Sequence, residues 1–160
     1  MQRNVPIPHR NRLSAAPKEK MTEIIYREVG IIYGNINAVE RSQSFLCEIL
    51  KPDHPLRKEG EEVQFLETLE HRNTTFLKAI EELGNSMDKY TMTINQFDTF
   101  SEPETRKIIA TIQKNMPGKI VAPGKLANLV LKKLEATSGT LTEVSRVKVD
   151  TKKNVKNKQK

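Results

Sequence analysis

The sequence contains no tryptophan, one cysteine (Cys47), and aromatic residues at only 5% of its positions. A single cysteine excludes an internal disulfide framework and a zinc site built from several thiolates of one chain. Enzyme pockets are usually walled by aromatic and aliphatic side chains, so this composition argues against a substrate pocket. No apolar run approaches the roughly 20 residues that a membrane-spanning helix requires, so no transmembrane segment is expected.

The residues that could perform chemistry are scattered along the chain. His9 precedes the first periodic segment, His54 lies between two prolines, and His71 falls on the predicted outer face of a helix, so none is placed to activate Cys47. A nucleophile needs a base and an orienting group close by. The glycines of segment 118–126 have five residues between them, whereas a phosphate-binding loop has about four. We therefore expect a non-enzymatic protein with no catalytic residues, cofactor, metal ligands or small-molecule substrate.

The net charge of +7 is concentrated at the two ends of the chain. Residues 1–20 carry five Lys/Arg against one Glu, and residues 137–160 carry seven Lys/Arg against two acidic residues. Basic ends are typical of arms that touch a polyanion such as DNA, RNA or a microtubule, and they are equally typical of solvated tails. The candidate residues for a weak polyanion contact are Lys152, Lys153, Lys156, Lys158 and Lys160.

Two long segments repeat apolar residues at alternating spacings of four and three. This heptad pattern predicts a helical hairpin over residues 18–100, in which two coiled-coil-like helices pack antiparallel about a proline-containing bend near residues 51–55. The predicted seam, which packs the two helices together or holds a partner, consists of Ile25, Val29, Ile32, Ile36, Val39, Leu46, Leu50, Leu66, Leu69, Phe76, Ile80, Leu83, Met87, Tyr90, Ile94 and Phe97. Gln43 and Asn73 interrupt it, and buried polar residues at such seams often fix the register.

The first helix has more apolar surface than one seam uses. Ile24, Ile31, Phe45 and Ile49 lie on one flank of its stripe and form a candidate extra interface. Burying one large apolar side chain is worth about 1.5–3 kcal/mol, so the four together represent roughly 6–12 kcal/mol. We expect either later helices of the chain or another subunit to cover this flank.

The remaining segments are predicted to be irregular or short. Residues 1–17 contain three prolines and are expected to form a disordered basic arm. Residues 101–136 are expected to form a short helix–loop–helix with two short helices, and residues 137–160 are expected to be a disordered Lys-rich tail.

The pattern as a whole predicts an all-α protein. The function it favours is that of a coiled-coil scaffold or adaptor subunit, which binds other helical subunits of a multiprotein complex. By analogy of architecture, chromosome-, spindle- or centrosome-associated complexes fit best, and hence an intracellular location in the nucleus or on the cytoskeleton. Two alternatives remain open: a small helical protein that binds nucleic acid through its basic tails, and a vesicle-tethering adaptor on a membrane surface.

Overall fold

The computed structural model describes residues 18–97 and 123–158, together with the single positions 103, 107, 110, 111 and 114. The described residues contain three helices and no strand, so the predicted all-α class is confirmed. The helices are α1 (Lys18–Leu50), α2 (Glu62–Phe97) and α3 (Pro123–Lys158). The predicted N-terminal arm, residues 1–17, and most of the predicted short helix after residue 101 lie outside the described residues.

The turn between α1 and α2 spans residues 51–61. Pro52 follows the end of α1, where it disfavours helix in the residue before it. Gly60 has a φ of 95°, a left-handed conformation that glycine adopts without a steric penalty. Its amide donates to the Glu62 carboxylate at 3.0 Å, so an acidic side chain lies at the first residue of α2. The Arg57 guanidinium donates to the Leu50 carbonyl at 2.5 Å and thereby ties the turn to the last residue of α1.

The prediction of a disordered tail from residue 137 is wrong for residues 137–158, because α3 continues to Lys158. The second of the two short helices predicted within residues 101–136 is the first part of this longer helix. The 4–3 spacing does continue, but polar side chains occupy half of its positions. The residues at this spacing are all buried or half-buried: Thr137, Leu141, Val144, Lys148, Thr151 and Val155. Threonine, valine and Gly139 have weak helix propensity, and tertiary packing of this stripe overrides it.

The contacts divide the chain into two compact units, each built from parts of all three helices. The helical segments of the first unit that the structure describes are residues 18–33, 85–97 and 123–129. Its buried side chains include Ile25, Val29 and Ile32 of α1, Tyr90 of α2 and Leu126 of α3. Each helix therefore contributes its apolar face to the core of this unit.

The described part of the second unit comprises residues 34–84 and 130–158. Its core has Leu46 and Ile49 on α1, Phe65 and Phe76 on α2, and Val144 on α3. Polar contacts add to this packing between the helices. The Asn35 amide of α1 donates to the Glu82 carbonyl of α2 at 3.2 Å. The Gln43 amide of α1 donates to the Thr140 hydroxyl of α3 at 2.9 Å. Two ion pairs, Glu40–Lys133 and Glu70–Lys148, join α3 to the other helices.

Candidate partner-binding site

Most of the sixteen predicted seam residues lie inside the molecule. Twelve are buried: Ile25, Val29, Ile32, Ile36, Val39, Leu46, Leu69, Phe76, Leu83, Met87, Tyr90 and Ile94. Leu50, Leu66 and Ile80 are half-buried, and the side chain of Phe97 lies outside the described residues. These residues form the cores of the two units, so any surface for a partner must lie elsewhere.

The four flank residues of α1 separate into two groups. Ile49 is fully buried and Ile24 is half-buried, whereas Ile31 and Phe45 remain 45% and 49% exposed. The later part of the chain therefore covers only part of the flank. Ile31 belongs to the first unit and Phe45 to the second.

A shallow groove lies between α1 and α2 in the second unit, next to Phe45. It encloses about 630 Å³, and its lining comes from these two helices alone. The residues that line it, hereafter the α1/α2 groove, are Ala38, Arg41, Ser42, Phe45, Thr75, Lys78, Ala79 and Glu82. Small side chains form much of the lining, and the Ser42 hydroxyl donates to the Ala38 carbonyl of its own helix at 2.7 Å. The groove therefore offers a largely apolar floor.

Phe45 forms one wall of the groove and is held in place by a neighbouring cation. The Arg72 guanidinium lies 3.7 Å from the centre of the Phe45 ring, within the range of a cation–π interaction. The same guanidinium donates to the Phe45 carbonyl at 2.9 Å and to the Glu48 carboxylate at 3.0 Å. One face of the aromatic ring is therefore covered, and its position is fixed before any partner binds.

The α1/α2 groove carries one exposed cation on each of its two helices. Arg41 of α1 and Lys78 of α2 are exposed, and neither pairs with an acidic residue in the part of the chain that the structure describes. Glu82 is the acidic residue of the lining. The groove therefore combines an apolar floor with two exposed cations that form no ion pair with a described residue.

A second cavity, of about 430 Å³, lies where the turn between α1 and α2 meets the C-terminal part of α3. Arg57, Glu59 and Glu62 line it, but Arg57 and Glu62 are engaged in the hydrogen bonds that build the turn. Phe65 forms its floor beneath the Arg57 guanidinium, which lies 5.5 Å from the ring centre. Two of the charged groups of this cavity, Arg57 and Glu62, thus have structural partners.

The residues considered for chemistry do not converge. Cys47 is exposed on α1, and His71 is exposed on α2 as the sequence predicts. His54 lies in the turn, where its Nδ1 accepts from the Leu56 amide at 3.1 Å. His9 lies outside the described residues. The described ranges hold no cluster of three or more metal-ligating side chains.

Two of the polar residues inside the molecule have an unfilled hydrogen-bonding position. In the first unit, the Thr93 hydroxyl of α2 donates to Glu28 Oε2 of α1 at 2.9 Å, and Glu28 Oε1 accepts from no described residue. In the second unit, Asn73 is buried, and its Oδ1 likewise has no described donor. Burial, aided by the Glu28 charge, raises the pKa of the Tyr90 phenol.

The predicted polyanion residues on α3 are presented on a helix. Lys152, Lys153 and Lys156 are exposed, the side chain of Lys158 is not among the described ones, and Lys160 lies outside the described residues. The sequence identified these lysines but assigned them to a disordered tail. Their helical placement depends on the threonine and valine stripe of α3.

Comparison with known proteins found no matching family model, no similar curated protein and no similar solved structure. None of the described helices combines the length and the hydropathy needed to cross a membrane.

Proposed function

We propose that the chain is a non-enzymatic helical scaffold or adaptor subunit that binds a helix of another subunit in the α1/α2 groove. The observation that carries this proposal is the groove itself: an open, largely apolar channel between two helices with an exposed cation on each helix. Helices pack side by side at about 8–10 Å between their axes, and small side chains permit the shorter distances. Ala38, Ser42 and Ala79 supply such small side chains.

The helices that form the groove are proposed to be an antiparallel hairpin with coiled-coil-like seams. Its support is the order of contacts in the second unit: Asn35 meets Glu82, whereas Phe45, further along α1, meets Arg72, an earlier residue of α2. Such an arrangement presents two parallel ridges with a groove between them over the length of the contact.

The proposed occupant is an amphipathic helix whose apolar stripe is flanked by acidic residues. Charge complementarity is the reason, because Arg41 and Lys78 flank the apolar floor from opposite helices. By the same analogy of architecture used above, the partner would belong to a chromosome-, spindle- or centrosome-associated complex, in the nucleus or on the cytoskeleton.

The experiment compares two double variants of the full chain in its native complex. R41Q/K78Q removes the two groove cations, and K125Q/K132Q removes two exposed cations of α3, so that both lose the same charge. We expect R41Q/K78Q to lower recovery of the partner by about tenfold, and K125Q/K132Q to leave it near the wild-type level. Circular dichroism should show equal helix content in the wild type and both variants.

Chemical crosslinking identifies the occupant. A reagent that joins amines to carboxylates should link Lys78 to an Asp or Glu of a helical segment in another protein, and this link should be the same in K125Q/K132Q. The proposal fails if Lys78 links only within its own chain or to a second copy of it. It also fails if R41Q/K78Q recovers the partner as well as the wild type does.

A further inference from the structure

The last two turns of α3 carry lysines and no acidic side chain. After Asp150 the helix continues with Lys152, Lys153 and Lys156, and these three residues are hereafter the lysine cluster. All three are exposed, and none pairs with a described acidic residue. Several cations earlier in α3 do have such partners: Lys133 pairs with Glu40, Lys148 with Glu70, and Arg146 with both Glu143 and Asp150.

The helix concentrates this positive charge. Lys152 and Lys156 are four residues apart and Lys153 and Lys156 three apart, so both pairs are neighbours on the helix surface and repel each other. The rise from the first to the last lysine is only about 6 Å. The negative end of the helix dipole offsets part of this repulsion. A bound anion would remove the rest, so the cluster is a preformed concentration of charge that favours a polyanion.

We infer that the lysine cluster binds the phosphate backbone of duplex nucleic acid without reading its sequence. Lysine ammonium groups contact phosphates as point charges, and such contacts position a protein without specifying bases. Helix α3 contains no aromatic residue, so it offers no platform on which unpaired bases could stack. Between residues 149 and 157 the helix exposes Val149 as its large apolar side chain, whereas membrane-surface helices insert a face of aromatic and aliphatic residues.

The test measures the binding of a short labelled duplex of mixed sequence to the full chain by fluorescence anisotropy. With three phosphate contacts, the slope of log K against log[salt] should be about −2.7, and affinity should fall about 40-fold between 50 and 200 mM salt. K152Q/K153Q should make this slope shallower by about two. K125Q/K132Q is the matched control, because it removes the same charge from the same helix and should keep the wild-type slope.

Each other outcome contradicts the inference. Equal weakening in both double variants would mean that total charge or another basic segment is responsible. An unchanged salt slope in K152Q/K153Q would mean that the lysine cluster does not contact the duplex. Tighter binding to anionic phospholipid vesicles or to polyglutamate than to the duplex would identify a membrane or an acidic protein as the ligand. Lysine and glutamine have similar helix propensities, and circular dichroism of each variant checks that α3 remains folded.

Discussion

The contact between Glu28 and Thr93 should be essential for the stability of the first unit. Both residues are almost inaccessible, with 6% and 9% of their surface exposed. The Thr93 hydroxyl has two acceptors in reach, Glu28 Oε2 at 2.9 Å and the Lys89 carbonyl of its own helix at 3.0 Å. It is the one described side chain that donates to the Glu28 carboxylate, whose other oxygen accepts nothing from the described residues.

Replacing Thr93 with valine keeps the shape of the side chain and removes the donor. A hydrogen bond to a charged group contributes about 1.5–3 kcal/mol to stability. Leaving the buried Glu28 carboxylate without this donor should lower the free energy of unfolding by a similar amount. With a denaturant dependence of roughly 2 kcal/mol per molar urea, the unfolding midpoint should fall by about 1 M. Converting Glu28 to methionine in the same chain removes the buried carboxylate that T93V leaves without a donor. T93V/E28M should therefore recover most or all of the stability that T93V loses.

Urea unfolding followed by circular dichroism measures these changes. Thr91→Val is the matched control, because Thr91 is exposed and its hydroxyl donates only to the Met87 carbonyl of its own helix at 3.0 Å. It should change stability by less than about 0.5 kcal/mol. The reasoning is refuted if T93V is as stable as T91V. It is equally refuted if T93V/E28M is no more stable than T93V, because the loss would then come from packing and not from the carboxylate.

Four further substitutions each test a single site. Burial raises the pKa of the Tyr90 phenol above the ordinary 10.0. The stability that Tyr90 contributes is therefore complete below pH 10 and is lost as the pH rises further. In urea melts between pH 9 and 11, Tyr90→Phe should lose less stability than the wild type does. Gly139→Ala should raise the free energy of unfolding by about 0.5–1 kcal/mol, because an added Cβ meets open space in a helix, whereas Gly60→Ala should lower it by about 1–2 kcal/mol at a φ of 95°. Arg72→Ala should lower it by about 2 kcal/mol in thermal melts, since it removes the cation over Phe45 and the hydrogen bond to its carbonyl.

The sequence predicts α1 and α2 because their stripes are apolar at every position except Gln43 and Asn73, so the spacing is unambiguous. At the same spacing in the second half of α3, three of the six positions are polar, namely Thr137, Lys148 and Thr151, and such residues also suit exposed segments. Because the second half of α3 is not predicted, the hydrogen-bond partner of Gln43 is not predicted either. Gln43 interrupts the predicted seam, and its amide binds Thr140, a residue of the part assigned to the tail.

The groove could not be predicted from periodicity. Ala38, Ser42 and Ala79 are too small to produce an apolar signal, and their role depends on how close two helices lie. Apolar periodicity also predicts that all four flank residues need apolar cover, whereas a polar side chain can cover an aromatic ring as well. Arg72 covers one face of the Phe45 ring, and the residue is 49% exposed.

The two proposed surfaces belong to the same unit but share no residue, and this allows each to be tested against the other. The groove is lined by α1 and α2, and the lysine cluster lies on α3. R41Q/K78Q, K152Q/K153Q and K125Q/K132Q each remove two positive charges, so all three chains have the same net charge and nearly the same long-range field. Sites without shared partners usually act additively. R41Q/K78Q should therefore weaken only the binding of the partner helix, and K152Q/K153Q only the binding of the duplex. K125Q/K132Q should weaken neither. If one variant weakened the binding of both ligands, the two surfaces would be coupled or the two ligands would share a site.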